Sequence, residues 1–119
     1  MIHSTFIFRD TTVSAFVMLP AAVATNETLS MTARIAYGIL LSRAMLSQKN
    51  SDDWTNDDGQ VDCFFPVGDL AKQLDRGKTQ TESALNELER NGLLYREKIG
   101  FNRPNRLYVK VPLDDSPAR

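Results

Sequence analysis

Residues 66–91, PVGDLAKQLDRGKTQTESALNELERN, read as two short helices joined by a tight turn, and this pair decides the fold. Val67, Leu70, Ala71 and Leu74 recur at the spacing that lines one face of a helix of about two turns. Asp75-Arg76-Gly77 breaks the pattern, and Gly77 is the residue expected to take backbone angles closed to others and to serve as the next N-cap. From Lys78 a longer helix follows. Thr81, Ala84, Leu85 and Leu88 form its inward stripe, and Lys78, Thr79, Gln80, Ser83, Asn86, Glu87 and Arg90 fall on its outward face.

The first turn of that second helix is polar and cationic, a choice that opposes the helix macrodipole by roughly a few tenths of a kcal/mol. DNA removes the conflict. Phosphates are attracted to helix N-termini, and Lys, Thr, Gln and Ser hydrogen-bond to phosphate oxygens or base edges. A helix-turn-helix whose second helix enters the major groove needs this arrangement, whereas a plain helical hairpin with a solvated face does not.

Downstream, Asn91-Gly92 is a helix stop with Gly92 at the left-handed position. Residues 93–98 (LLYREK) and 106–111 (RLYVKV) then alternate apolar and polar as antiparallel strands around the loop IGFNRPN. A loop carrying Asn102, Arg103 and Asn105, stiffened by Pro104 and flanked by Lys98 and Arg106, suits a phosphate backbone or a minor groove. Upstream, residues 61–65 (VDCFF) read as a short strand. Strand, helix, turn, helix and two-stranded wing is the winged-helix order, an α+β fold.

Before these, Ser30 is a good N-cap for a helix over residues 31–47. Ala33, Ala36, Tyr37, Ile39, Leu40, Leu41, Ala44, Met45 and Leu46 wrap most of its circumference, so it is expected to be the central buried helix, with Arg34 and Arg43 snorkelling from it. Residues 5–9 (TFIFR) and 13–19 (VSAFVML), separated by Asp10-Thr11-Thr12, read as an N-terminal β-hairpin that Pro20 ends. An isolated hairpin is marginal, so this one either folds back or pairs with a second copy. The chain thus divides into a hairpin or dimerisation arm at 1–20, a winged-helix domain at 21–111 and a linker or tail at 112–119.

With 14 Lys and Arg against 15 Asp and Glu, the formal net charge is −1, which taken whole argues against nucleic acid. The charge is unevenly placed. Residues 51–62 hold five aspartates and no cation, while residues 66–111 hold nine cations against six acids. Binding depends on the field where DNA docks, so the asymmetry outweighs the total. The acidic loop around Asp58-Gly59 does not fit a calcium loop, because with Gly59 as the loop glycine the first and last ligands fall on Trp54 and Phe65. It is expected to be solvated and away from DNA.

One cysteine, Cys63, and one histidine, His3, leave no Cys/His metal site or internal disulfide, and Cys63 reads as a small buried apolar residue in a strand. No run reaches the roughly 20 apolar residues of a membrane span and no signal peptide is visible, so a cytoplasmic protein is expected. No nucleophile set, phosphate-binding glycine loop or cofactor motif is present, and no catalysis and no cofactor are expected.

The order of segments resembles the N-terminal domain of RepA_N-type plasmid replication initiators, from about Phe16 to Val111. The residues that carry the resemblance are Phe16-Val17-Met18-Leu19-Pro20, Leu29-Ser30 with the run from Ala36 to Arg43, the loop from Trp54 to Val61, Leu85-Asn86-Glu87-Leu88-Glu89, Asn91-Gly92-Leu93-Leu94, and Arg103-Pro104-Asn105-Arg106-Leu107-Tyr108-Val109. It implies a winged-helix domain that binds repeated sites on double-stranded DNA at a plasmid origin. It also implies recruitment of host replication proteins through a C-terminal domain that is not in this sequence, and kinship with DnaD-type primosomal proteins. Lys78, Thr79, Gln80, Ser83 and Asn86 are the candidates for the major groove. Lys72, Arg76, Lys98, Asn102, Arg103, Asn105 and Arg106 are the candidates for phosphates or the minor groove. Repeated sites suit a homodimer. The alternatives are a winged-helix transcriptional repressor and a DnaD-like module that binds proteins in a replisome.

Overall fold

The computed structural model describes residues 2–13, 15–50, 58–101 and 105–113, the side chains of residues 49 and 50 excepted. Within them the chain runs α1 (Ala21–Ala24), α2 (Met31–Asn50), β1 (Cys63–Phe64), α3 (Val67–Leu74), α4 (Lys78–Arg90), β2 (Leu94–Glu97) and β3 (Arg106–Val109). The strands make one antiparallel sheet in the order β1-β3-β2, with Cys63 opposite Leu107 and Tyr95 opposite Tyr108. This is a winged helix: α3 and α4 are the helix pair, β2 and β3 the wing, and β1 extends the sheet.

Helix α2 is the packing centre. Ala33, Ala36, Tyr37 and Leu40 are fully buried and meet Leu70 of α3, Ala84, Leu85 and Leu88 of α4, and Leu94 and Leu107 of the sheet. Leu46 departs from expectation and is 54% exposed, since it lies on the outer face of α2 with Ile35, whereas Ala44 and Ser47 on the inner face are buried. The Ser30 hydroxyl accepts the N–H of Ala33 at 3.1 Å, the predicted cap. Arg34 and Arg43 serve the fold. Arg34 donates to the carbonyls of Leu29 and Ala24, and Arg43 reaches the Phe64 carbonyl and lies 4.4 Å over the Phe65 ring. Burial pushes the Cys63 thiol up to about 11, as suits an inert packing residue.

Three expectations are corrected. The N-terminal segment forms no strand among its described residues. It carries one turn, in which the Thr11 N–H donates to the Phe8 carbonyl at 3.1 Å and the Phe8 N–H to the Thr11 hydroxyl. Asp10-Thr11-Thr12 lacks the glycine that tight hairpin turns require, and two strands without a third have too little to pack on. The segment is therefore an arm with Ile2, Phe6, Ile7, Phe8, Val13 and Phe16 exposed. It joins the body where it crosses α2: a Cβ on Gly38 would lie 2.6 Å from Val17 Cγ1, and the Met18 N–H donates to the Ser42 hydroxyl at 3.1 Å.

The second correction is α1, a single turn after Pro20 that buries Val23 and was not anticipated. Pro20 followed by Ala-Ala-Val-Ala was its signal, because proline's fixed φ suits a helix start. The third concerns the turn between α3 and α4. The positive φ, 55°, belongs to Asp75, which caps α3 in the left-handed region, whereas Gly77 sits at φ −72° and ψ 167°, open to any residue. Aspartate tolerates the left-handed region better than most side chains.

Candidate nucleic-acid interface

Helix α4 is fixed to the body by Thr81, Ala84, Leu85 and Leu88, all buried, so the side chains opposite them turn outward. Lys78, Thr79, Gln80, Ser83 and Asn86 are all exposed. The N-cap Gly77 has no side chain to satisfy the first-turn amides, and no acidic residue stands in that turn. Thr81 bonds inward, its hydroxyl donating to the Gly77 carbonyl at 2.9 Å. This bond stiffens the start of α4 without using an outward group. Lys78 leans over the start of α3, its Cε 3.7 Å from where a Gly68 Cβ would stand. Lys72, in the last turn of α3, and Arg76, which donates to the Asp75 carbonyl, are exposed beside it.

The wing is bound to α4 at its root by Arg96 of β2. Its guanidinium donates to Glu82 at 3.1 Å, to Glu89 at 2.7 Å and to Asn86 Oδ1 at 2.6 Å, and its backbone N–H reaches the second Glu89 oxygen at 3.3 Å. The hydrogen bond from Arg96 holds the Glu89 carboxyl below its usual range, although partial burial opposes it. Asn105 is half-buried, in a cleft of about 250 Å³ lined by Pro66, Leu70, Leu85, Arg96 and Leu107 between the helix pair and the wing. Lys98, just past β2, is exposed. Asn102 and Arg103, between β2 and β3 in sequence, lie outside the described residues.

Arg106 does not stand free as the sequence suggested. Its guanidinium lies 3.9 Å from buried Asp62, 3.8 Å from Glu97 and over the Phe64 ring. Burial pushes the Asp62 carboxyl above the usual aspartate range, and Arg106 pulls it back part of the way. Asp62 therefore belongs to the wing root and not to a solvated acidic loop; the rest of that loop, residues 51–57, lies outside the described residues. Glu87, placed on the outward face by periodicity, is half-buried and binds Ser30.

Sequence reasoning overlooked Arg96 as a member of the site. Its signal was Glu82, Asn86 and Glu89 along one edge of α4, at spacings of four and three, with an arginine in the next strand. Among the described residues no helix is long and apolar enough to cross a membrane.

The comparisons agree with this geometry. A solved structure described as "N-Terminal domain of DNA binding protein" is 29% identical, with a TM-score of 0.71 over 95% of this chain and 87% of that one. Another, "Structure of Rep-DNA complex", is 31% identical, with a TM-score of 0.69 over 86% of this chain and 79% of that one. A third, "Structure of MDR initiator", is 35% identical, with a TM-score of 0.66 over 85% of this chain and 80% of that one. No curated protein matches the sequence. Residues 15–115 match the model of the replication initiator protein A (RepA) N-terminus, and the chain belongs to that RepA_N family.

Proposed function

We propose that this is the double-stranded-DNA-binding domain of a plasmid replication initiator, that it reads repeated origin sites sequence-specifically, and that it acts by binding without catalysis. The observation that carries the reading is the exposed, acid-free first turn of α4, with Lys78, Thr79 and Gln80 projecting from a helix whose other face is locked in the core. The solved Rep-DNA relative, at 31% identity over most of this chain, supports DNA as the partner. In this reading Lys78, Thr79, Gln80, Ser83 and Asn86 enter the major groove. Lys72, Arg76, Lys98, Asn102, Arg103 and Asn105 hold phosphates or the minor groove. Arg106 steadies the wing root and contributes field more than contact.

The domain acts as a homodimer in the cytoplasm, and the exposed apolar arm supports self-association. Host replication proteins are engaged by a further domain outside this sequence. Selection of bound duplexes from a random pool tests the proposal. A recovered sequence repeated beside the coding region supports an initiator; one palindrome over a promoter supports a repressor. Preference for single strands, or no enrichment, rejects duplex reading. Light scattering during size exclusion, with and without residues 1–15, reads the dimer; a monomer in both forms removes it.

A further inference from the structure

The amide of Asn86 is held in one orientation. An arginine N–H only donates, so the group facing Arg96 Nη2 at 2.6 Å is the Asn86 carbonyl oxygen, and the amide NH2 is turned away. Arg96 is itself fixed, bonded to Glu82 and Glu89, with a side chain only 14% exposed. Asn86 is exposed on the side of α4 toward the wing.

An unrestrained asparagine reads adenine with both ends of its amide, accepting from N6 and donating to N7. With the oxygen turned toward Arg96 and one of its lone pairs engaged there, the end left to project is the NH2 donor. Its complement is a base edge carrying adjacent acceptors, and in the major groove guanine supplies two, N7 and O6. We infer that Arg96 is a positioning residue that makes Asn86 a hydrogen-bond donor to guanine instead of a reader of adenine. Glu82 and Glu89 complete the device, because they fix Arg96 while its single positive charge offsets one of their two negative charges beside the phosphates.

This inference rests on the duplex-binding reading above, and one experiment separates the two. Duplexes are selected from a random pool with the wild type, Asn86→Ala and Arg96→Met, folding being checked by circular dichroism and thermal melting. Arg96→Met also removes the charge that partly offsets Glu82 and Glu89, so the selection is repeated with Arg96→Met/Glu82→Gln/Glu89→Gln. The wild type is expected to show a guanine position whose preference over adenine falls by roughly fivefold or more in Asn86→Ala, all other positions keeping theirs. In both Met variants that position passes to adenine, and in Arg96→Lys, which keeps a donor, it stays guanine. If the wild type enriches no motif, the duplex-binding reading fails. If it enriches a motif in which the position sensitive to Asn86→Ala is absent or is not guanine, or stays guanine without Arg96, the inference alone falls. Asn86 is exposed, so its alanine variant decides the matter even if the Met variants do not fold.

Discussion

Ser30 and Glu87, 57 positions apart in sequence, join the N-cap of one helix to the side of another. The Ser30 N–H and hydroxyl donate to the two Glu87 carboxylate oxygens at 2.8 and 2.9 Å. The same hydroxyl accepts from Ala33, so a helix cap and a tertiary contact share one atom. Glu87 thereby fixes α4 against the long central helix. Glu87→Ala is expected to lower unfolding stability by about 1–3 kcal/mol, since it unpairs a charge-assisted contact. A double-mutant cycle with Ser30→Ala in urea checks it. Additive losses would show that the pair does not act as a unit.

Gly38 is required by close approach, not by backbone angle. Any Cβ there would stand 2.6 Å from Val17 Cγ1 and 2.9 Å from the Met18 carbonyl oxygen. Gly38→Ala gains up to about 1 kcal/mol of helix propensity but must lift the arm from α2. Net destabilisation and faster proteolysis near Val17 and Met18 are expected. An unchanged digestion pattern would mean that the arm yields without detaching.

Base reading and phosphate holding separate by mutation. Gln80→Ala is expected to relax sequence preference by about 1–3 kcal/mol at the base it contacts. Lys72→Ala and Arg103→Ala are expected to weaken specific and random duplexes alike and to reduce the slope of log affinity against log salt by about 1 each. Equal loss on specific and random DNA from Gln80→Ala would reject its role.

The Tyr37 hydroxyl donates to the Lys110 carbonyl at 2.7 Å, and burial pushes its pKa up to about 12. The folded value lies above the unfolded phenol's value of about 10, so this contribution is complete below pH ~10 and is lost as pH rises toward 12. Tyr37→Phe should cost about 1–2 kcal/mol at neutral pH, because the carbonyl loses its donor, and should decline less steeply in alkali. Denaturant melts of both proteins across that range check it. Parallel curves would exclude the linkage.

The elements legible in the sequence were those that short-range pattern determines. The stripe Thr81, Ala84, Leu85 and Leu88 named the buried face of α4, and Gly92, at φ 75°, ended the helix where expected. Ser30 marked the start of α2. What stayed hidden depends on partners distant in sequence. Periodicity put Glu87 outward but could not show Ser30 beneath it, and a charge count treated Asp62 and Arg106 as opposite fields although they meet in the wing root. The arm read as strands because β-propensity reports a surface that fits a sheet, and among the described residues no neighbouring strand is there to receive it.

Arg96 and Arg106, the cations at the root of the wing, are both engaged by carboxylates of this same chain. Neither brings an uncompensated charge to a duplex, so in the proposed complex the salt dependence falls to cations such as Lys72, Arg76 and Lys78, and neutralising either root arginine should leave the slope of log affinity against log salt nearly unchanged.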